Sequence, residues 1–278
     1  MSSAIIALTL LAAMLHATWN AVLRSGADRL WSVTIMSVAT TAAAIPLAIL
    51  LPLPRADSWL LLGVSAVLQV VYSILLAHAY RYGELGQVYP VVRGSVPLLV
   101  SVGGFVLAGQ RLSGTSLLGI ALISCGIASL AVGKGRAQAK SLALSMVTAV
   151  VVAAYVTADA IGVRLAGNPQ SYAVWIFVIY GVLLPAAFVV LRGGITMDVR
   201  AAETLKALAG GVLTLASYAA IITALAMGKA GPVAALRETS IVFSALIGRV
   251  VLGEPLTRRR ILVCLAVALG AVCISQAA

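Results

Sequence analysis

Residues 231–250 read GPVAALRETSIVFSALIGRV, an apolar run that carries Arg237, Glu238 and Arg249. The run has the length of a bilayer-crossing helix, which needs about 20 apolar residues for a hydrocarbon core of roughly 30 Å. A charge at the bilayer centre costs roughly 2.5–3.5 kcal/mol, so such residues face a partner or a wet cavity. A second copy of the stretch shows which of them to follow. Residues 82–112, YGELGQVYPVVRGSVPLLVSVGGFVLAGQRL, answer residues 227–256, MGKAGPVAALRETSIVFSALIGRVVLGEPL. Gly83 and Gly86 match Gly228 and Gly231. After a one-residue slip Arg93 matches Arg237, Gly109 matches Gly253, Leu112 matches Leu256 and Gly126 matches Gly270. Arg237 therefore has a counterpart, placed after Pro90 as Arg237 is after Pro232. Arg249 has none, since Phe105 stands at its position.

Outward from this pair, the whole chain has the same character. Of its 278 residues 62% are hydrophobic and 10% charged, and the mean hydropathy is +1.10. A soluble domain has about half apolar and a quarter charged residues. Punctuation by Pro, Gly and charge predicts ten membrane helices, near 4–24, 31–51, 58–80, 87–108, 113–132, 141–161, 172–191, 204–227, 232–252 and 258–276. The expected fold is an all-α polytopic membrane protein. The repeat divides it into residues 1–137 and 138–278 with five spans each, and an odd number of spans per half sets the halves in opposite orientations. The opening of "AIIALTLLAAMLHATWN" lacks a basic segment, so it reads as a first membrane helix rather than a cleaved signal.

The net charge of +11 does not mark a nucleic-acid binder, because the basic residues lie in short connections and form no solvated basic face. Connections after odd-numbered spans carry Arg24, Arg29, Arg81, Lys134, Arg136, Lys140, Arg192, Arg200, Lys206 and Arg258 to Arg260. Those after even-numbered spans carry only Arg55, Arg111, Arg164 and Lys229. Positive-inside bias puts the odd connections in the cytoplasm and both termini outside. Cys125, Cys264 and Cys273 sit in apolar runs as small packing residues, with no metal-ligand spacing.

Polar residues inside spans nominate a site. On span nine, Glu238, Val242, Ala245 and Arg249 would share one stripe of a regular helix, with Arg237 turned by about 100°. Arg249, near the helix end, can snorkel to the interface. Guanidinium groups are matched to carboxylate and phosphate oxygens, so Arg93 and Arg237 are candidate anchors for an anionic or zwitterionic solute. Asp159 and Glu238 are candidate charge partners or proton carriers, Asp159 having a fixed pair with Arg93 or Arg237 as its structural alternative. His16 and Asn20 on span one, Tyr155 with Asp159 on span six, and Tyr72 and Tyr218, at matching positions of spans three and eight beside Ser73 and Ser217, are either cavity lining or helix-packing groups. His78, near a span end, suits an interfacial contact. Phosphate-binding loops, zinc motifs and nucleophile turns do not occur.

The five-plus-five arrangement, with "AYRYGELGQVYPVVRGSVPLLV", "LAGQRLSGTSLLGIALISCGI" and "ALRETSIVFSALIGRVVLGEPLTRRR", resembles the drug/metabolite transporter superfamily, specifically its EamA-type members, over essentially the whole chain. The Gly-Glu-x-Leu hinge at Gly253, Glu254, Pro255 and Leu256 carries that likeness, with Gly119 and Gly126 on span five; the first half departs from it by having Gln110 where the hinge has Glu. The "YPVVRG" and "LRETS" pair also resembles a subset linked to phosphonate use. The resemblance implies that spans four and nine line a central cavity, and a topology opposite to that of the charge bias. The function expected is secondary active transport of small metabolites by alternating access, with protons as candidate coupling ions and no cofactor, in the plasma membrane of a bacterium (its inner membrane), as a monomer or homodimer. A lipid-carrier flippase is the first alternative. An intramembrane enzyme is the second, and the missing nucleophile and base motifs count against it.

Overall fold

A computed structural model describes residues 1–23, 28–82, 85–131, 139–195, 197–251 and 256–276. Arg24, Gly83, Lys134, Arg136, Gly253, Glu254 and Pro255, named above, lie outside the described residues. The chain is all-helical. In order come α1 (Ser3–Leu23), α2 (Arg29–Leu50), a single 3-10 turn (Ala56–Ser58), α3 (Trp59–Tyr82), α4 (Leu85–Ala108), α5 (Gly114–Ser129), α6 (Ala139–Leu165), α7 (Pro169–Arg192), α8 (Ala202–Met227), α9 (Ala230–Arg237), α10 (Ser240–Val251) and α11 (Arg258–Gln276). Among the described residues nine stretches are long and apolar enough to cross a membrane, α9 and α10 together forming one of them, and α5 is a shorter apolar helix. Each expected span is present. The difference is in span nine, which breaks between Arg237 and Ser240.

Local chemistry sets the boundaries. Asp28 caps α2 by accepting from the Trp31 amide at 3.1 Å, and α2 ends at Leu51, before Pro52 and Pro54. Asn168 accepts from the amides of Gln170 and Ser171 at the start of α7, with Pro169 in the first turn, and α7 closes on Gly193 in the left-handed region at φ 82°. These are the start and stop devices that short connections require. Pro46, Pro90, Pro97 and Pro185 lie inside helices, which neighbouring helices make tolerable in a membrane bundle.

The bundle is apolar outside and holds its polar groups within. Ile49, Leu60, Val190 and Val250 are among the most exposed side chains, whereas His16, Gln69, Arg93, Asp159 and Glu238 are buried. That distribution suits a hydrocarbon solvent and reverses what water selects. Packing interlocks the two halves: α1 lies on α8 as α3 lies on α6, α2 on α8 as α7 on α3, and α4 on α6 as α9 and α10 on α1. The pairs α2 with α7 and α5 with α11 stand on their own. Exchanging each helix of the first half with its counterpart in the second turns this set of neighbours into itself. At the α5–α11 crossing a Cβ on Gly119 would come within 2.6 Å of the Gly270 carbonyl oxygen, and one on Gly270 within 2.6 Å of that of Gly119. Two bare backbones meet there, as small residues allow.

Candidate functional site

The break in span nine builds the site. Through α9 the chain is a regular helix, but the amides of Glu238 and Thr239 bond to the carbonyls of Ala235 and Leu236, and those of Ile241 and Val242 to Glu238 and Thr239, each three residues back. The ladder tightens to a 3-10 turn, and Glu238 becomes the C-cap of α9. The single helical stripe through Glu238, Val242, Ala245 and Arg249 is therefore corrected: the two ends belong to different helices. Interrupted helices are a recurrent way to present polar groups in the middle of a membrane transporter. Two contacts from the first half hold α9 in place. Gln110 Oε1 accepts from the Ala230 amide at 2.9 Å, and Gly231 lies so close to Ser101 of α4 that a Cβ there would collide with it. Gln110 thus serves to anchor the start of span nine.

With α9 pressed on α4, charged side chains from three spans converge. Arg93 Nε lies 3.2 Å from Glu238 Oε2, both side chains being buried. The pair is close as ions, yet these two atoms are not aligned as a hydrogen bond. Arg93 Nη2 lies 2.6 Å from His16 Nε2. Arg237 Nη2 lies 3.4 Å from the other ring nitrogen, His16 Nδ1. The two repeat-related arginines thus meet on opposite edges of one imidazole. Trp19 stands edge-on to that ring, 4.9 Å between centroids. Among the described residues no carboxylate lies within ion-pair distance of Arg237.

A second polar group faces the first. Asp159 of α6, 1% exposed, accepts from the Tyr218 hydroxyl in a short hydrogen bond and from the Tyr172 hydroxyl at 3.3 Å. Gln69 Nε2 donates to Tyr218 at 2.9 Å and to Ser65 at 3.2 Å, which leaves the Tyr218 proton for Asp159. The alternative of a fixed pair between Asp159 and an arginine is corrected: among the described residues no cation reaches ion-pair distance, and neutral donors from α7 and α8 occupy the carboxyl instead. Gln69 and Tyr172 were not nominated from sequence. An amide inside "SAVLQVVYS" was a usable signal for Gln69; Tyr172 gave none, because its partner lies across the α6–α7 turn.

Between the two groups lies a cavity lined by Arg93, Arg237 and Glu238 on one side and Tyr155, Asp159 and Tyr218 on the other, with Val152, Val156, Ile221, Ile222 and Val233 as its apolar wall. Its volume is about 20 Å³, room for about one water molecule. His16 stands behind the arginines. Asn20 turns away, its amide donating to the His16 carbonyl at 2.8 Å. Tyr72 packs on Tyr155 with centroids 6.1 Å apart. Ser217 donates to the Ala12 carbonyl and Ser73 shares a hydrogen bond with Tyr180, so both join helices. Arg249 and His78 are exposed. No group of three or more potential metal ligands occurs among the described residues.

This architecture has known counterparts. Among the 28 chains of solved structures that match, one, described only as "Crystal structure of protein", superposes with a TM-score of 0.79 at 17% identity, covering 99% of this chain and 97% of its own. At that identity the likeness speaks for the fold. No curated protein matches the chain. Residues 139–276, from the start of α6 to the end of α11, match the EamA-like transporter family. With nine long apolar spans and one shorter apolar helix among the described residues around an interior polar cavity, the chain belongs to the EamA-like transporter family, whose members are membrane transporters of small molecules rather than enzymes.

Proposed function

We propose that this protein is a secondary active transporter that carries an anionic or zwitterionic organic solute by alternating access. The observation that carries the reading is Arg237: a cation on the cavity wall, with no carboxylate at ion-pair distance among the described residues, while Arg93 is matched by Glu238. Arg237 is half-buried inside a membrane-spanning bundle, where a cation without a counter-ion is costly, and an anionic solute would supply the missing charge. Asp159, on the opposite wall, offers a pole for a positively charged group or a proton.

A cavity of about 20 Å³ admits no organic solute, so the helices around it must separate to load one. Rocking of residues 1–137 against residues 138–278 about this site follows from the repeat in the sequence, and it would have to slide the many helix contacts that run between the two halves. A plasma-membrane location, the bacterial inner membrane, follows the same reading. The charge bias of the connections would place those after odd-numbered spans in the cytoplasm; impermeant labelling of a cysteine introduced at Asp198 and, separately, at Asp57 tests that topology.

The experiment for function is a thermal-stability screen of purified protein against carboxylates, phosphates, phosphonates, amino acids and organic cations, repeated with Arg237→Gln. An oxyanion-bearing solute is expected to raise the melting temperature, and the substitution to remove the rise. Stabilisation by cations or apolar compounds alone would refute the reading. So would an anion effect that survives Arg237→Gln unchanged.

A further inference from the structure

The contacts of His16 fix more than its position. A guanidinium group has only donors, so His16 Nε2, 2.6 Å from Arg93 Nη2, must accept and carries no proton. The proton of the neutral ring then sits on Nδ1, since the hydrogen bond at one ring nitrogen sets the state of the other. But Nδ1 faces Arg237 Nη2 at 3.4 Å. Two N–H groups cannot bond to each other; they can share an oxygen placed between them. Arg237 adds a further donor, for its Nε is buried with no hydrogen-bond partner among the described residues.

We infer that His16 Nδ1–H and Arg237 together form an oxyanion-binding pair, reached when the helices separate to load a solute and taking a carboxylate, phosphate or phosphonate oxygen, and that Arg93, which lines the closed cavity, is a positioning residue rather than an anchor. Glu238 balances the charge of Arg93, and Arg93 in turn holds His16 in the tautomer that donates toward Arg237. The inference rests on the anionic-solute reading above and assigns its atoms: the symmetry-related arginines have unequal tasks, one binding the solute and one orienting the group that helps bind it. The shared oxyanion would also supply the counter-charge that Arg237 lacks among the described residues.

The chain has only two histidines, His16 and His78, so the protein labelled with ¹⁵N-histidine can be read directly by NMR, the exposed His78 being assigned with His78→Gln. The expected spectrum has His16 protonated at Nδ1 and bare at Nε2, and addition of inorganic phosphate, acetate or methylphosphonate moves the Nδ1 signal. Arg93→Gln is expected to release the lock and give both tautomers. An imidazolium, or a proton on Nε2, in the unaltered protein would overturn the pair. A second arm uses bond counting: an Asn amide nitrogen lies as many bonds from Cβ as Nδ1 does, and a Gln amide nitrogen as many as Nε2. His16→Asn should therefore keep anion affinity within about threefold, whereas His16→Gln should lose about tenfold or more, the worth of a hydrogen bond to a charged group. Equal losses in the two variants would overturn the pair. If an anion stabilises the protein while the Nδ1 signal stays fixed, the pair is wrong and the anionic-solute reading stands. If none of the three anions stabilises it, both fall.

Discussion

The two polar groups that face each other across the cavity differ in how they satisfy their charge. On the α1–α4–α9 side Arg93 lies beside Glu238 and one edge of the His16 ring, while Arg237 faces the other edge with no carboxylate at ion-pair distance among the described residues. On the α3–α6–α7–α8 side one carboxyl is met by neutral hydroxyls, and one of these, Tyr218, is itself oriented by an amide. The second group is complete without a ligand. The first leaves hydrogen-bonding capacity unspent, which buried groups do at a cost of about 1–3 kcal/mol each. That contrast is why we place the solute's anionic part on the arginine side and treat Asp159 as a preformed opposite pole.

The contrast breaks most sharply at Glu238. Glu238→Gln removes the carboxylate that lies 3.2 Å from Arg93 and should destabilise the protein by about 3–5 kcal/mol, as breaking a buried ion pair does. Asp159→Asn strands no cation, so its cost should stay near 1–3 kcal/mol; unfolding of both variants in mild detergent checks the order, and the reverse order would refute the contrast. Next in size, Tyr218→Phe removes a hydrogen bond to a charged group, worth about 1.5–3 kcal/mol, and should cost more than Tyr172→Phe, whose hydroxyl stands at 3.3 Å. Equal melting temperatures would show that Gln69 does not aim Tyr218 at Asp159.

A packing change probes the same side from behind. A Cβ on Gly162 of α6 would lie 2.8 Å from ring carbons of Tyr172, so Gly162→Ala should push that ring off Asp159 and cost about 1–3 kcal/mol as overpacking does. Combined with Tyr172→Leu, a smaller residue, most of the loss should vanish in a double-mutant cycle. The smallest effect belongs outside the cavity. Asp28 and Arg192 pair at 3.2 Å with both side chains about half exposed, and Asp28→Asn keeps an oxygen to cap α2, so its change should be below about 1 kcal/mol. A larger one would mean that charge alone, without burial, explains the Glu238 result.

Much of this was legible from the chain. The spans follow from runs of apolar residues, and the Arg93–Arg237 correspondence from the repeat; both arginines reach one cavity. Spacing could not show that span nine breaks, because the sequence around Glu238 and Thr239 has no proline or glycine to announce it; the 3-10 turn follows a helix, α9, that lies against α4 and α1. Asn20 was nominated by its i,i+4 relation to His16, and that same spacing lets it bond back to the His16 carbonyl and leave the cavity. A polar side chain on a helix has two ways to satisfy itself, and only its neighbours decide between them.

The amino-acid sequence by itself marked a polytopic membrane chain of ten apolar runs, with matching positions in its two halves, because hydrophobic length and local punctuation are properties of contiguous residues. It also singled out the charges that hydrocarbon would not tolerate unaided. Which of those charges pair was decided only by the tertiary structure: Arg93 with Glu238, Asp159 with tyrosines, and His16 between two arginines. These partners lie tens to hundreds of residues apart, and the dry interior of the bundle enforces pairing by distance in space, for which distance along the chain is no guide.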